Sequence, residues 1–394
     1  GMRRGGSSYV GLDVTVRTAP KLLWIIGPSD LPGVGQTWSA PTVARVNVNR
    51  TWTSGNPDKM VLVFGGGYDV AQDTVGYVAD NVGNRVFMVD AITGSLIWRA
   101  GPTSDTGAQL PLAKMTNSIP GDVRVVDLSG DGFADRMYAA DMGGRVWRFD
   151  IRNGQAAADL VWGGVFASLG NGDLAVKTDA TKNRRFFYAP DVSLIDAGTT
   201  NFINIGIGSG HREKPITDVT VVNRFYSLRD FNVFSQVQNT QYKATCGTSE
   251  TSPCHQIITD GDTRLLDVTG VANPTIPAGG VGWRMNLQDA GEKVLAESRT
   301  FQSQVYFTTY SPEEREYNPE FCVATVGLNR LYVANVATGK LVVLTQLAQG
   351  SIAPEVTFVF PTPGDVPADE PPPGCATTPG CDVDDPTTWP PVQG

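Results

Sequence analysis

The chain lacks the long apolar runs and the positive charge that two large classes of protein require. No segment has the about 18 consecutive apolar residues that cross a bilayer as a helix. Its 31 Lys and Arg residues against 40 Asp and Glu give a net charge of −9 over 394 residues. A surface of that sign repels phosphates. We therefore expect no membrane-spanning segment and no nucleic-acid partner.

Histidine is nearly absent, which leaves few candidates for acid–base catalysis. His211 stands beside Arg212 and Glu213, but no further partner group is evident, so we interpret it as a residue that holds a loop. His255 directly follows Cys254, and this neighbouring pair alone is a weak sign of metal binding. The chain contains neither a nucleophile elbow nor a phosphate-binding loop. The sequence predicts a protein that is not an enzyme.

Cysteine is also scarce, and four of the five cysteines form two close pairs. Cys246 and Cys254 enclose one short polar loop, Cys375 and Cys381 enclose another, and Cys322 is left over. Such spacings are typical of short disulfides in exported proteins. Metal ligation is the alternative, although neither spacing is the C-x-x-C of zinc sites. We expect a protein of the periplasm or cell surface.

Glycine, proline and a repeated strand pattern define the fold class. The chain has 44 Gly and 26 Pro, no long helical heptads and an apolar content of 41 %, which predicts many turns between short strands around a real core. A pattern of turn, alternating strand, Asp or Asn with a later Gly, and second apolar strand recurs. Its copies lie at residues 6–24, 83–98, 143–154, 223–230 (degenerate) and 327–342.

A single hairpin of this kind cannot bury both of its faces, so the copies must pack against one another. The sequence therefore predicts an all-β fold, a β-propeller with long inter-strand insertions and an extended Pro-rich C-terminal tail. A β-sandwich with similar hairpins is the alternative. We place the propeller domain at residues 1–360, its clearest insertion at 243–278, and a Pro/Asp-rich tail at 361–394. The loop-like start without a signal peptide suggests a fragment of a longer chain whose first blade is incomplete.

One loop carries a regular series of oxygen ligands. Asp127, Ser129 and Asp131 occupy positions 1, 3 and 5 of a nine-residue segment, and Asp135 occupies position 9. Phe133, at position 7, offers its backbone carbonyl. This is the order in which an EF-hand-type loop surrounds a hard cation. We predict that these five residues bind Ca²⁺.

The surroundings of this loop distinguish it from an EF-hand. Gly132 fills position 6, where a sharp turn requires φ > 0, but Tyr138 stands where an EF-hand has a bidentate Glu. Both flanks are rich in residues typical of strands. The loop is therefore predicted to be a calcium hairpin, with a dissociation constant of about 10⁻⁵ to 10⁻³ M. An Asp/Gly-rich turn that needs no metal is the alternative.

Eight segments carry a resemblance to a known family, namely residues 1–6, 12–15, 63–69, 130–132, 144–150, 206–213, 224–230 and 305–310. Taken in this order, they make the chain resemble the C-terminal propeller of the PilY/PilC family of type IV pilus biogenesis and tip adhesin proteins. The resemblance implies a calcium loop formed by the five residues named above. It also implies a role in pilus extension and retraction (twitching motility) and in surface adhesion. Integrin binding is not implied, because the Arg-Gly-Asp motif of some members is missing.

The same resemblance implies partners and a location, and it leaves two alternatives open. The partners would be pilins and a host or abiotic surface, and the location would be the cell surface or pilus tip, the outer membrane or the periplasm. The stretch from Asp90 to Trp98 also resembles the blades of quinoprotein dehydrogenases, although the adjacent cysteines that those enzymes often use do not occur here. The other alternative is a propeller that binds another protein and holds a purely structural calcium.

Overall fold

The computed structural model describes residues 1–49, 58–173, 177–196, 200–247, 254–312 and 327–359. One compact unit runs from Gly1 to Val356, and a second runs from Thr357 to Gly394. The predicted tail at 361–394, Cys322 and the Cys375–Cys381 pair lie outside the described residues. The predicted boundary at residue 360 stays a prediction.

Short strands dominate the first unit, and its described residues contain no α-helix. Strands in the first half are β1 Tyr9–Asp13, β2 Lys21–Ile26, β3 Thr42–Val46, β4 Lys59–Gly65, β5 Val86–Asp90, β6 Leu96–Gly101, β7 Leu110–Pro111, β8 Arg124–Val126, β9 Arg136–Ala140, β10 Arg145–Ile151 and β11 Val161–Ser168. Those in the second half are β12 Asp191–Asp196, β13 Asn201–Gly208, β14 Arg224–Asp230, β15 Tyr242–Lys243, β16 His255–Gln256, β17 Ile258–Thr259, β18 Leu265–Asp267, β19 Gly282–Asn286, β20 Arg299–Phe301, β21 Gln304–Ser311, β22 Leu328–Asn335 and β23 Leu341–Leu347. Short 3₁₀ turns occupy Arg3–Gly5, Val70–Asp73, Ala157–Asp159, Asn171–Asp173, Ala180–Lys182 and Asn239–Gln241.

These strands form a series of sheets that follow one another along the chain. The first sheet has the order β3-β4-β5-β6-β7, the second β17-β11-β10-β9-β8, the third β12-β13-β14-β19-β18 and the fourth β20-β21-β22-β23. β1 pairs with β2 and β15 with β16 in two smaller sheets. Within the four main sheets, consecutive strands mostly pair antiparallel, as connected hairpins require.

The repeated sequence pattern forms the predicted hairpins. Copies at 83–98 and 327–342 are the antiparallel pairs β5–β6 and β22–β23. Their turns share one chemistry: Gly94 and Gly339 have φ of +72° and +77°, and the side chains of Asp90 and Asn335 accept hydrogen bonds from backbone N–H groups of the turn. The degenerate copy at 223–230 is β14, which pairs with β13 and β19 instead.

The hydrophobic core lies between successive sheets, and this arrangement is that of a propeller. Trp98 of the first sheet meets Phe149 of the second with ring centroids 6.1 Å apart. Tyr138 of the second sheet is in one cluster with residues of the third. Phe225 of the third stacks on Phe307 of the fourth at 3.9 Å. Because four sheets pack face to face in series, the all-β propeller prediction is confirmed and the two-sheet sandwich is wrong.

The segment predicted as an insertion, residues 243–278, contains short strands that extend two sheets. β17 adds to β11 of the second sheet in parallel, and β18 adds to β19 of the third. Cys246 and Cys254 form a disulfide with a Cα–Cα distance of 6.0 Å, which confirms the first predicted pair. Within the described residues, no helix has the length and apolar character needed to cross a membrane.

Candidate calcium site

The predicted ligand loop joins two adjacent strands of the second sheet. β8 and β9 pair antiparallel, with Val126 opposite Arg136, so residues 127–135 form the connection of a hairpin. The Asp135 backbone N–H donates to the Val126 carbonyl at 2.9 Å and closes the loop at its base. The flanks are therefore strands, as the β-branched residues of the sequence predict.

Two glycines give the loop its turns. Gly130 and Gly132 have φ of +73° and +85°, in the left-handed region that side chains with a Cβ rarely adopt. Around both positions there is open space, because a Cβ on Gly130 would meet no atom within 4 Å and one on Gly132 would lie 4.0 Å from the Arg45 guanidinium. Backbone conformation, not crowding, thus explains both glycines, including the one predicted at position 6.

Asp127 organises the first half of the loop. Its Oδ1 accepts from the Gly130 N–H at 2.6 Å and from the Ser129 hydroxyl at 3.3 Å, and its Oδ2 accepts from the Gly132 N–H at 2.8 Å. Desolvation by nearby atoms works to raise the pKa of Asp127, but the N–H groups of Gly132 and Gly130 and the Ser129 hydroxyl outweigh it, and the pKa is lowered. The carboxylate is exposed and charged at neutral pH.

The other predicted ligands lie on the same loop. Asp135 Oδ2 accepts from the backbone N–H groups of Leu128 and Ser129, both at 2.8 Å, and Asp131 Oδ1 accepts from the Phe133 N–H at 2.8 Å. Asp135 thus links the end of the loop to its beginning. Asp131 is exposed at the tip, where external ions have access.

The donor types fit a hard cation, but the carboxylates do not converge in this conformation. Carboxylate, hydroxyl and carbonyl oxygens are the ligands that calcium takes. Within the described residues, however, no group of three or more His, Cys, Asp or Glu side chains is arranged to hold a metal ion. The loop supplies oxygen ligands in the expected order, and the calcium site remains a prediction.

A basic residue of the first sheet covers one side of the loop. The Arg45 guanidinium lies 4.5 Å from the centroid of the Phe133 ring and forms an ion pair with Asp58. The Ala134 N–H donates to the Arg45 carbonyl at 2.8 Å. These contacts attach the second half of the loop to the neighbouring sheet.

Directly behind the loop lies a buried network of charges that the sequence did not reveal. Arg136 Nε donates to Asp150 Oδ1 at 2.6 Å, and Arg148 bridges Asp150 at 3.0 Å and Asp230 at 2.8 Å. The Tyr138 hydroxyl donates to Asp230 Oδ2 at 2.7 Å. All five side chains are almost fully buried, and Asp230 belongs to the third sheet, so the network joins two blades.

The opposite charges of this network compensate one another. Burial works to raise the pKa of Asp230, but the Arg148 and Arg136 guanidinium groups outweigh it and lower the pKa. Two arginines face two aspartates, so each buried charge has a partner. Asp150 and Asp230 both end copies of the repeated strand, and this shared position was the one sequence signal that pointed to them.

Both histidines are buried and hold the structure. His211 Nδ1 lies 3.1 Å from Asp218 Oδ2 and its Nε2 lies 3.0 Å from the Gln72 carbonyl, which fits the interpretation of a loop-holding residue. His255 stacks on Phe166 with centroids 4.5 Å apart. Burial lowers the pKa of both imidazoles, which keeps them neutral at physiological pH.

The amino-acid sequence of the chain is similar to those of known proteins. The family model described as the PilY1 beta-propeller domain matches residues 1–163. The type IV pilus biogenesis factor PilY1 of Pseudomonas aeruginosa is 32 % identical over 158 residues, which are 40 % of this chain and 11 % of that protein. The PilY1 homolog of Xylella fastidiosa is 25 % identical over an alignment of 398 positions, which covers 93 % of this chain and 24 % of the relative.

These matches confirm the resemblance to the PilY/PilC propeller that the sequence indicates. The crystal structure of the Pseudomonas aeruginosa PilY1 C-terminal domain matches the chain with a TM-score of 0.56 and 20 % identity, over 86 % of this chain and 66 % of that one. At this identity the structural match shows the fold. The chain spans about a tenth to a quarter of the length of the two curated relatives.

Proposed function

We propose that the chain is the calcium-binding propeller of a type IV pilus biogenesis factor, exported and associated with the pilus, and that it acts without enzymatic chemistry. Support for the pilus role comes from the PilY1 propeller family model and from relatives described as pilus biogenesis factors. Pilins, and a host or abiotic surface, would be its partners. Twitching motility and adhesion would be the processes that it regulates.

The observation that supports the calcium proposal is the order of the oxygen ligands along a hairpin loop. A nine-residue β-hairpin connection places oxygen ligands in the order of a calcium loop, with glycine at φ +85° at the sixth position. Asp127, Ser129, Asp131 and Asp135 would supply side-chain oxygens, and Phe133 its carbonyl. Binding would require the three carboxylates to converge, and the ion would offset the repulsion among them.

Calcium would act by selecting one conformation of this hairpin. An ion at 100 times its dissociation constant stabilises the bound state by about 2.7 kcal/mol. The loop ends at Asp135, directly before Arg136 of the buried network that reaches the third sheet. A change in the loop would therefore reach a neighbouring blade through this arginine, and external calcium would set the state of the propeller.

A complementation experiment tests the proposal. In a piliated host that depends on the full-length protein containing this chain, Asp131→Ala is compared with Asp159→Ala, an exposed aspartate of the same sheet region outside the loop. We expect surface pili and twitching to lose their dependence on calcium with Asp131→Ala and to keep it with Asp159→Ala. Equal behaviour of the two variants would contradict a regulatory calcium loop.

The alternative of a purely structural calcium has a different outcome. In that case the purified Asp131→Ala protein would unfold at a lower temperature than Asp159→Ala in calcium, and pili would be lost together with the folded protein. A regulatory site predicts folded Asp131→Ala protein that is present in the cell but insensitive to calcium.

A further inference from the structure

An open cavity of about 490 Å³ lies where the sheets of the propeller begin. The segments that lead into the first strands of the four main sheets all contribute to its wall, with Ala40, Asp122, Tyr188 and Glu297 among them. Two of these segments are bonded to each other, since the Ala40 N–H donates to Asp122 Oδ1 at 2.6 Å. The cavity is therefore lined by segments that lead into all four main sheets.

Two sequence segments that carry the family resemblance meet at this cavity. Arg4, from the first segment, forms an ion pair with Glu213, from the segment that follows β13, and a second one with Asp73 at 3.2 Å. Each segment also places the preceding arginine, Arg3 or Arg212, in the wall of the cavity. The pair formed by Arg4 and Glu213 thus holds two other arginines at the same site.

The charges of the cavity wall do not balance. The wall carries four arginines and three carboxylates: Arg3, Arg124, Arg212 and Arg299 with Asp122, Glu297 and Glu355. Arg124 is paired with Glu297, and Arg299 with Glu297 and Glu355. Within the part of the chain that the structure describes, neither Arg3 nor Arg212 forms an ion pair with a carboxylate. Four arginines against three carboxylates leave one excess positive charge in the cavity wall, in a chain whose net charge is −9.

The wall beside these arginines is aromatic. Trp38 and Phe187 meet edge to face with centroids 5.6 Å apart, and Phe187 and Tyr188 lie 5.3 Å apart. The Arg3 guanidinium lies 5.6 Å from the centroid of Trp38. A cationic group next to an aromatic surface suits a ligand with an anionic end and an apolar body.

We propose that this cavity binds a carboxylate with an aromatic or apolar body. Arg3 and Arg212 would bind the carboxylate, because a guanidinium offers two parallel N–H donors that match its two oxygens. Trp38, Phe187 and Tyr188 would cover the body. The volume falls in the range of small-molecule sites, about 300 to 1,000 Å³. Such a ligand can be a free acid or the carboxyl terminus of a polypeptide, and none of the five predicted calcium ligands lines the cavity.

The test compares acids with their amides on the 394-residue chain. N-acetylphenylalanine and N-acetylphenylalaninamide share the aromatic body and differ in the charge of the end group. A tripeptide that ends in phenylalanine, as free acid and as amide, represents the polypeptide source. Titration calorimetry, supported by ligand-observed NMR, measures all four on the wild type, on the double variant Arg3→Gln/Arg212→Gln, and on Arg17→Gln, an exposed arginine outside the cavity.

We expect at least one acid to bind about tenfold more tightly than its amide, and the double variant to lose that preference. Arg17→Gln should bind like the wild type. Tighter binding of the peptide acid would identify a polypeptide terminus, and tighter binding of N-acetylphenylalanine a free acid. Equal binding of acid and amide, no binding of either acid, or a folded double variant with unchanged affinity would overturn the proposal. If the double variant does not fold, the acid–amide comparison on the wild type decides.

Discussion

At the scale of single residues, Gly132 determines the conformation of the ligand loop most directly. Its φ of +85° is strained for any residue with a Cβ, although space for that atom is available. We expect Gly132→Ala to lower the free energy of unfolding by about 1 to 2 kcal/mol, the cost of the left-handed conformation. Denaturant unfolding monitored by circular dichroism measures this change.

Gly261→Ala is the matched control for this prediction. Gly261 is also a turn glycine with open space around its Cβ position, but it does not adopt a positive φ. It should therefore be neutral or stabilising by about 0.4 to 1 kcal/mol. Equal losses in the two variants would show that the conformation of Gly132 is not what the loop requires.

The buried carboxyl group of Asp80 should make the stability of the protein depend on pH. It is 7 % exposed, and its carboxylate accepts from the Gln72 side chain at 2.9 Å and from the Ser118 N–H at 2.6 Å. Burial raises the pKa of Asp80 from 3.8 to about 6 despite these bonds. The folded-state pKa of Asp80 lies above its unfolded-state pKa. The contribution of Asp80 to the free energy of unfolding is therefore greatest below about pH 4 and is lost as the pH rises through 6.

The expected size of this effect is about 3 kcal/mol between pH 4 and 7, since each pKa unit corresponds to about 1.4 kcal/mol. Asp80→Asn should flatten the slope of unfolding free energy against pH in this window, and Asp159→Asn, an exposed control, should not. The slope is the readout, because the amide also changes the bond with Gln72. Parallel slopes for wild type and Asp80→Asn would refute the assignment.

At the scale of elements, the two predicted cysteine pairs can be tested by counting free thiols. The Cys246–Cys254 disulfide is formed, and Cys375–Cys381 was predicted from the same spacing logic. We expect one free thiol, that of Cys322, when the protein is titrated with a thiol reagent under denaturing, non-reducing conditions. Three free thiols would show that the second pair is not formed.

The first disulfide closes a loop with a sequence separation of 8 residues. In the chain-entropy model a loop of this size corresponds to about 2 to 3 kcal/mol. We expect Cys246→Ser/Cys254→Ser to lower the unfolding free energy by that amount. The reduced wild type should match the double variant, and an unchanged midpoint on reduction would contradict the prediction.

At the scale of the whole molecule, the buried charges between the second and third sheets hold two blades in register. Arg148 bonds to Asp150, Asp230 and the Ser235 carbonyl and is fully buried. Removing one partner leaves uncompensated buried charge, so Arg148→Met should cost about 3 to 5 kcal/mol. Lys182→Met breaks an ion pair whose lysine side chain is 52 % exposed and should cost less than about 1 kcal/mol. Similar losses in urea unfolding would contradict this role.

Local sequence patterns predict the hairpins and the fold class. Contacts between residues that lie far apart in the sequence could not be predicted in this way. The hairpins were readable because Asp90, Gly94 and their counterparts carry the turn chemistry in the chain itself. By contrast, the partnership of Arg148 with Asp230 spans 82 positions, and nothing in either neighbourhood specifies the other. For the same reason the meeting of Arg3 and Arg212 at one cavity could not be read from their motifs. The five candidate calcium ligands could be proposed from the sequence because they follow one another in one loop, and their binding of calcium stays a prediction.

Calcium binding by residues 127–135 is the property on which the proposed regulation depends. Isothermal titration of the purified 394-residue chain with calcium, beside Asp131→Ala and the control Asp159→Ala, tests it most directly. We expect one site with a dissociation constant of about 10⁻⁵ to 10⁻³ M in the wild type and in the control. Asp131→Ala should lose this site. Equal calcium binding by Asp131→Ala and the wild type, or no binding by the wild type, would contradict it.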